Sequence, residues 1–193
     1  MKDFAPDTRH LCKARTLGLG YGCGAKRFVQ VAHALTGGAL TLSFAAARNA
    51  VLEYRKQNKK VVKLWDQLEE ALRFFIQRDE DVGEILTPNG KPIKYFDLSE
   101  KDGDLVAAVT KGDKTKRLFG GLLVENLVQA TAREIFADAL LRLEAMGLPV
   151  CLHVHDSVTV EVAEAEGDAA LSALVQVLSE PPAWAKGLPL AAE

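Results

Sequence analysis

Arg9, Lys13, Leu17 and Tyr21 recur at a spacing of four within RHLCKARTLGLGYG, residues 9–22. On an α-helix each step of four turns about 40° around the axis, so the four side chains make one slowly turning stripe. Along it lie two cations, then an apolar side chain, then an aromatic ring. Arginine by its planar fork and lysine as a point charge can together grip a polyphosphate. An apolar side chain one turn further on could pack against the base of the same nucleotide. Gly18 and Gly22 directly follow Leu17 and Tyr21. A glycine inside a helix costs about 0.5–1 kcal/mol relative to alanine, so two so close imply that something large approaches the backbone. The competing reading is a basic amphipathic helix whose cations face only water.

A second candidate is LPVCLHVHDSVTVEV, residues 148–162. Val150, Leu152 and Val154 alternate with Cys151, His153 and His155, which predicts a strand. A turn at Asp156–Ser157 and a returning strand, VTVEV, should follow. His153 and His155 would share one strand face, but a metal pair needs a third ligand and none stands at plausible spacing. Asp156 is then either a turn residue bonding its own backbone or a carboxylate displayed at a hairpin tip.

The elements that must position these residues are mostly helical. Pro6 with Asp7–Thr8 reads as a helix start, and the helix should run from about Thr8 until the glycines break it. Ala25 to Leu35 predicts a short helix ended by Gly37–Gly38. Thr41 and Ser43 are candidate N-caps for a helix through AAARNAVLEYRKQN. In KKVVKLWDQLEEALRFFIQ, Val61, Leu64, Leu68, Leu72 and Phe75 step by three and four, as one buried helical face requires, with Trp65 beside it. Residues 79–119 change character, being rich in Gly, Asp and Lys. There ILTPNGKPIKYFDLS predicts a β-hairpin about Pro88–Asn89–Gly90, LVAAVT predicts a strand ended by KGDKTK, and the whole reads as an exposed insertion. Gly120–Gly121 opens a long helix ended by Gly147, with Val124, Val128, Ala132, Ile135, Ala139, Leu143 and Met146 on its expected buried side. Gln129 and Arg133 stand one turn apart on a neighbouring face, while Glu125 and Glu134 could be solvated helix charges. A last helix, GDAALSALVQVLSE, should pack across the hairpin.

Taken together, the motifs resemble those of family A DNA polymerases, and specifically their bacteriophage branch. The first stretch is similar to the family's nucleotide-binding fingers helix, RxxxKxxxFGxxYG, with Leu17 in place of the usual aromatic. The resemblance implies that Arg9 and Lys13 grip the incoming deoxynucleoside triphosphate, Lys13 taking part in catalysis. It implies also that Leu17 faces the nucleotide and Tyr21 sits near the template base. ENxxQxxxRE, at Glu125 to Glu134, resembles the palm helix in which the glutamine touches the minor groove of the primer–template duplex. That makes Gln129, with Arg133 beside it, a DNA contact. His155-Asp156-Ser157 resembles the His-Asp-Glu tip of the palm hairpin. By that likeness Asp156 is one of two carboxylates that hold two Mg²⁺ ions, and His155 lies at the DNA. Ser157 is neutral where most members have glutamate, so the secondary acidic residue is missing. Pro181–Pro182, Trp184 and GLPL are similar to the family's phage-type tail.

The fold class implied is α+β and helix-rich: a fingers-like helical region at 1–78, a hairpin-containing insertion at 79–119 and a C-terminal palm portion at 120–193, with the first palm strand missing. The family's other catalytic aspartate lies on that strand, upstream of the fingers helix. Only eight residues precede Arg9, and Asp3 and Asp7 among them have no strand-like context. The expectation is therefore the C-terminal portion of a DNA-directed DNA polymerase. It should be inactive until an upstream polypeptide supplies the missing carboxylate. The alternative is a non-catalytic nucleotide- or DNA-binding module descended from one.

Composition agrees with a single chain able to bury a core: 193 residues, 48% hydrophobic and 26% charged. No apolar run reaches the ~18 residues of a membrane helix. Cys12, Cys23 and Cys151 are an odd number without metal-ligand spacing, which fits reduced thiols in a cytoplasmic protein, in the bacterial host cell if phage-encoded. The net charge of −2 conceals an asymmetry. Residues 1–63 hold 12 Lys+Arg against 3 Asp+Glu, a balance of +9, and the remainder hold 12 against 23, a balance of −11. That places a basic surface suited to phosphates on the first third.

Overall fold

The computed structural model describes residues 6–193, with side chains from Arg9 onward. Asp3 and the side chain of Asp7 therefore lie outside the described residues. α1 (Pro6–Ala14) starts at a proline, whose fixed φ suits a first helical position. It runs on as far as the glycines, as expected, but not as a regular α-helix. It widens into a π-helical segment, Arg15–Leu19, and beyond its end the Cys23 amide donates to the Gly18 carbonyl five residues back at 3.2 Å.

α2 (Ala25–Leu35) ends at Thr36, whose buried hydroxyl donates to the Ala32 carbonyl at 2.8 Å and accepts from the Leu40 amide at 3.0 Å. Gly37 and Gly38, at φ 61° and 90°, then reverse the chain as expected. Of the two candidate caps for α3 (Phe44–Gln57), Ser43 is the one used, its hydroxyl accepting from the Ala46 amide. α4 (Lys59–Gln77) follows after the single residue Asn58.

The chain divides into two compact units: residues 1–85 with 93–127, and residues 86–92 with 128–193. In the first, β1 (Gly83–Leu86), β2 (Pro92–Lys101), β3 (Asp104–Ala108) and β4 (Lys116–Arg117) form an antiparallel sheet in sequential order. The hairpin turns at Gly90, φ 80°, where the Pro-Asn-Gly sequence placed it. These strands are not exposed throughout, as the sequence suggested, but bury one face. Tyr95, Leu98, Leu105 and Ala107 are buried in one cluster with Trp65, Leu68 and Leu72 of α4. Arg73 of α4 also pairs with Glu100 of β2 at 2.6 Å. A second cluster of this unit joins Ala14 and Leu19 to Phe28, Ala32, Ala47 and Val51.

α5 (Gly120–Ala145) departs from the single buried stripe read in the sequence. Leu123 and Val124 are buried in the first unit's core, and Ala139 and Leu143 in the second's, whereas Ala132 is exposed and Val128 and Met146 are 48% and 57% exposed.

In the second unit, β5 (Val150–Val154) pairs antiparallel with β6 (Ser157–Val160), and α6 (Gly167–Ser179) completes the core with Leu174, Val177 and Leu178. Arg142 ties α5 to the end of α6, donating to the carbonyls of Val177 at 3.1 Å and Glu180 at 2.8 Å. Its Nε stands 2.9 Å from Asp138 Oδ2, an ion-pair contact without hydrogen-bond alignment.

Candidate functional site

The stripe on the first helix is displayed to solvent for most of its length. Arg9 and Lys13 of α1 are exposed, and Leu17 in the π segment is 43% exposed. Tyr21 departs from them, half-buried against the Trp65 cluster. The three forward positions thus share one accessible element, and the fourth is partly core. Beside Leu17 lies an apolar pocket of about 490 Å³, lined also by Arg27, Val31 and Leu35.

The glycines that suggested a close approach to the backbone have an internal explanation. A Cβ on Gly18 would meet the Phe28 ring at 3.2 Å and Val31 at 3.3 Å, so α2 is what comes close there. Gly22, at φ 76°, faces the Gly121 backbone, where a Cβ would stand 3.3 Å from Cα. Gly121 in turn has the Tyr21 carbonyl where its own Cβ would be. The beginning of α5 is therefore docked backbone-to-backbone on the end of the first helix.

Two side chains whose sequence context suggested only packing or surface complete this junction. The Trp65 indole N–H donates to the Gly20 carbonyl at 3.2 Å. Glu69 of α4 accepts from the Gly120 amide at 2.6 Å, capping the start of α5 with a negative charge where the helix dipole favours one. The only advance signal was that a buried indole needs an acceptor. Nearby, burial raises the Tyr54 phenol above its ordinary pKa, and the neighbouring Tyr21 phenol adds to it. Burial likewise raises the Cys23 thiol, against the opposing pull of Arg27 and Arg55.

In the second unit the hairpin turns one residue earlier than expected, at His155–Asp156, with Val154 paired to Ser157. Asp-Ser suits turns, but here the serine has joined the strand and its hydroxyl donates to the Val154 carbonyl at 2.8 Å. His155 takes φ 55°, a left-handed conformation that costs a non-glycine residue about 1–2 kcal/mol. Asp156 is exposed at the tip, and among the described residues it enters no ion pair. His153 packs edge-on against Phe136, with ring centroids 5.9 Å apart.

Gln129 and Arg133 are both exposed on α5. Glu134 is partly buried, and its Oε2 has no hydrogen-bond partner among the described residues. A cavity of about 680 Å³ between α5, the hairpin, α6 and the tail reaches Asp156 and Ser157, but most of its lining is apolar.

Among the described residues no three His, Cys, Asp or Glu side chains gather in a way that could hold a metal ion. One displayed carboxylate fits part of a metal site and not the whole of one.

No family model matches the chain. Against a DNA polymerase of Bacillus phage SP02 it is 31% identical over 206 aligned residues, which cover 94% of this chain. The chain is similar to a phage DNA polymerase. It spans 31% of that relative's length, about a third. No helix among the described residues is long and apolar enough to cross a membrane.

Proposed function

We propose that this chain is the fingers and part of the palm of a family A DNA polymerase, acting on primer–template DNA and deoxynucleoside triphosphates. The observation that carries the reading is the likeness to a phage DNA polymerase along nearly the whole chain. Support comes from Arg9 and Lys13 standing exposed on one helix with Leu17 beyond them. In this reading the two cations bind the triphosphate and Leu17 packs on the nucleotide. Tyr21, anchored in the core, limits how far that end of the helix can move. Gln129, Arg133 and His155 contact DNA.

Asp156 would be one of the carboxylates of a two-Mg²⁺ site, completed by an aspartate on an upstream polypeptide or segment. Such ions, when bound, polarise the attacking hydroxyl and neutralise charge on the leaving pyrophosphate. What this chain contributes is binding and orientation: cations for the phosphates, an apolar face for the base and a carboxylate displayed at a hairpin tip.

The test is Lys13→Ala in the completed enzyme. A charge-assisted phosphate contact is worth about 1.5–3 kcal/mol, so kcat/KM for nucleotide should fall about ten- to a hundredfold. Primer–template binding should stay near wild type, and excess nucleotide should restore part of the rate. An unchanged kcat/KM would mean that Lys13 lies on a merely solvated face.

A further inference from the structure

The hairpin tip that displays Asp156 is held by few contacts. Among the described residues neither the Asp156 carboxylate nor the His155 imidazole enters a hydrogen bond or an ion pair. Behind the tip lies the mostly apolar cavity of about 680 Å³. The backbone of the turn is therefore what orients the carboxylate. That turn has two unusual features. His155 stands at φ 55°, a conformation that glycine alone adopts without cost. Ser157, the first residue of β6, donates its hydroxyl to the carbonyl of Val154, the last residue of β5, at 2.8 Å. The bond joins the two strand ends and closes a ring around His155 and Asp156.

A strained backbone conformation persists only where its surroundings over-determine it. Two-residue hairpin turns are commonly closed by Asn-Gly or Asp-Gly, whose residues accept φ > 0, and His155–Asp156 is neither. The serine bond supplies the closure that the turn residues do not. Ser157 is exposed and takes no part in the buried core, so packing is not its role. Glutamate, which most family A members carry there, accepts hydrogen bonds when ionised and cannot donate one to the Val154 carbonyl. In this chain the position has exchanged an acid for a donor.

We infer that Ser157 is a positioning residue: its hydroxyl bond to Val154 clamps the strained His155–Asp156 turn and so fixes where Asp156 presents its carboxylate to a divalent cation. The inference rests on the polymerase reading for the role of Asp156, while the clamp belongs to this chain alone. Three consequences separate a clamp from a lost acid. Glutamate at 157 adds a charge but removes the donor, so it should harm the site. Threonine keeps the hydroxyl, and its β-branch suits a strand, so it should serve. Glycine at 155 relieves the strain and should make the clamp less necessary.

The experiment has two measurements. The first is amide hydrogen exchange of the full chain without metal. Ser157→Ala and Ser157→Glu should speed exchange in residues 150–160 about two- to tenfold, the loss expected of one hydrogen bond, and leave α6 as in wild type. Ser157→Thr should match wild type. The second is single-turnover incorporation by the completed polymerase across a Mg²⁺ titration. Ser157→Ala and Ser157→Glu should raise the half-maximal Mg²⁺ concentration about two- to tenfold, with the nucleotide dependence unchanged and Ser157→Thr again at wild type. In a His155→Gly background the added cost of Ser157→Ala should fall below about twofold, since the two changes act on one turn. A lower Mg²⁺ requirement in Ser157→Glu would overturn the inference by showing that the position lacks an acid. Faster exchange throughout residues 128–193 with an unmoved Mg²⁺ midpoint would overturn it too, as a role in stability alone. So would wild-type behaviour of Ser157→Ala in both measurements. If Asp156→Asn abolishes incorporation while Ser157→Ala is silent, this inference falls and the polymerase reading stands. If Asp156→Asn leaves incorporation intact, both fall.

Discussion

Asp156→Asn abolishes nucleotide incorporation in the completed polymerase while primer–template affinity stays near wild type: that is the largest functional effect expected. The substitution keeps size and hydrogen-bonding capacity but removes the one charge displayed at the hairpin tip. A metal-held transition state deprived of a carboxylate loses several kcal/mol, and about 4 kcal/mol already corresponds to about a thousandfold in rate. Asp156 is exposed and is not among the buried core residues, so the variant should fold as wild type. Unlike Lys13→Ala, it should not be rescued by excess nucleotide. The pair is read by single-turnover incorporation across a nucleotide titration. Equal and mild defects would place Lys13 on a solvated face and Asp156 in an ordinary turn.

The largest structural effect is expected at Gly121. An added methyl would have to occupy the position of the Tyr21 carbonyl and stand 2.8 Å from the Gly22 amide nitrogen, and neither backbone group can rotate away. Overpacking against side chains costs about 1–3 kcal/mol, so Gly121→Ala, which strikes backbone, should cost at least about 3 kcal/mol. Gly167→Ala is the matched comparison. It has a helical environment with nothing within 4 Å of the added carbon, and should stabilise by up to about 1 kcal/mol. Urea midpoints with unchanged m-values decide both. A neutral Gly121→Ala would mean that the first helix and α5 are not docked as described.

These expectations show where sequence was informative and where it was not. Local signals read well. α2 has the bounds that periodicity and two glycines suggested, Ser43 caps α3, and Gly120–Gly121 opens α5. Contacts between distant segments did not read. Nothing local distinguishes a glycine that admits a ligand from Gly18, which admits the Phe28 ring. The sheet looked exposed because its turns are polar, yet Tyr95 is fully buried and its hydroxyl accepts from Asn126, 31 residues away, at 3.1 Å. The π segment was hidden because α and π turns differ by one hydrogen-bond step and share the same residue preferences. At the hairpin tip, turn propensity misplaced the bend by one residue, since the Val154–Ser157 pairing and the serine hydroxyl outweigh it. The positions of Arg9, Lys13, Leu17 and Asp156 were legible as motif positions. Their exposure was not.

Primer extension bears most directly on the central claim. Purified residues 1–193 with Mg²⁺, primer–template and all four deoxynucleotides should show no templated extension. Adding the upstream polymerase polypeptide that carries the second aspartate should restore it, and Asp156→Asn in the mixture should remove it again. Extension by the chain alone, free of contaminating polymerase, or silence of a demonstrably formed complex would contradict the account.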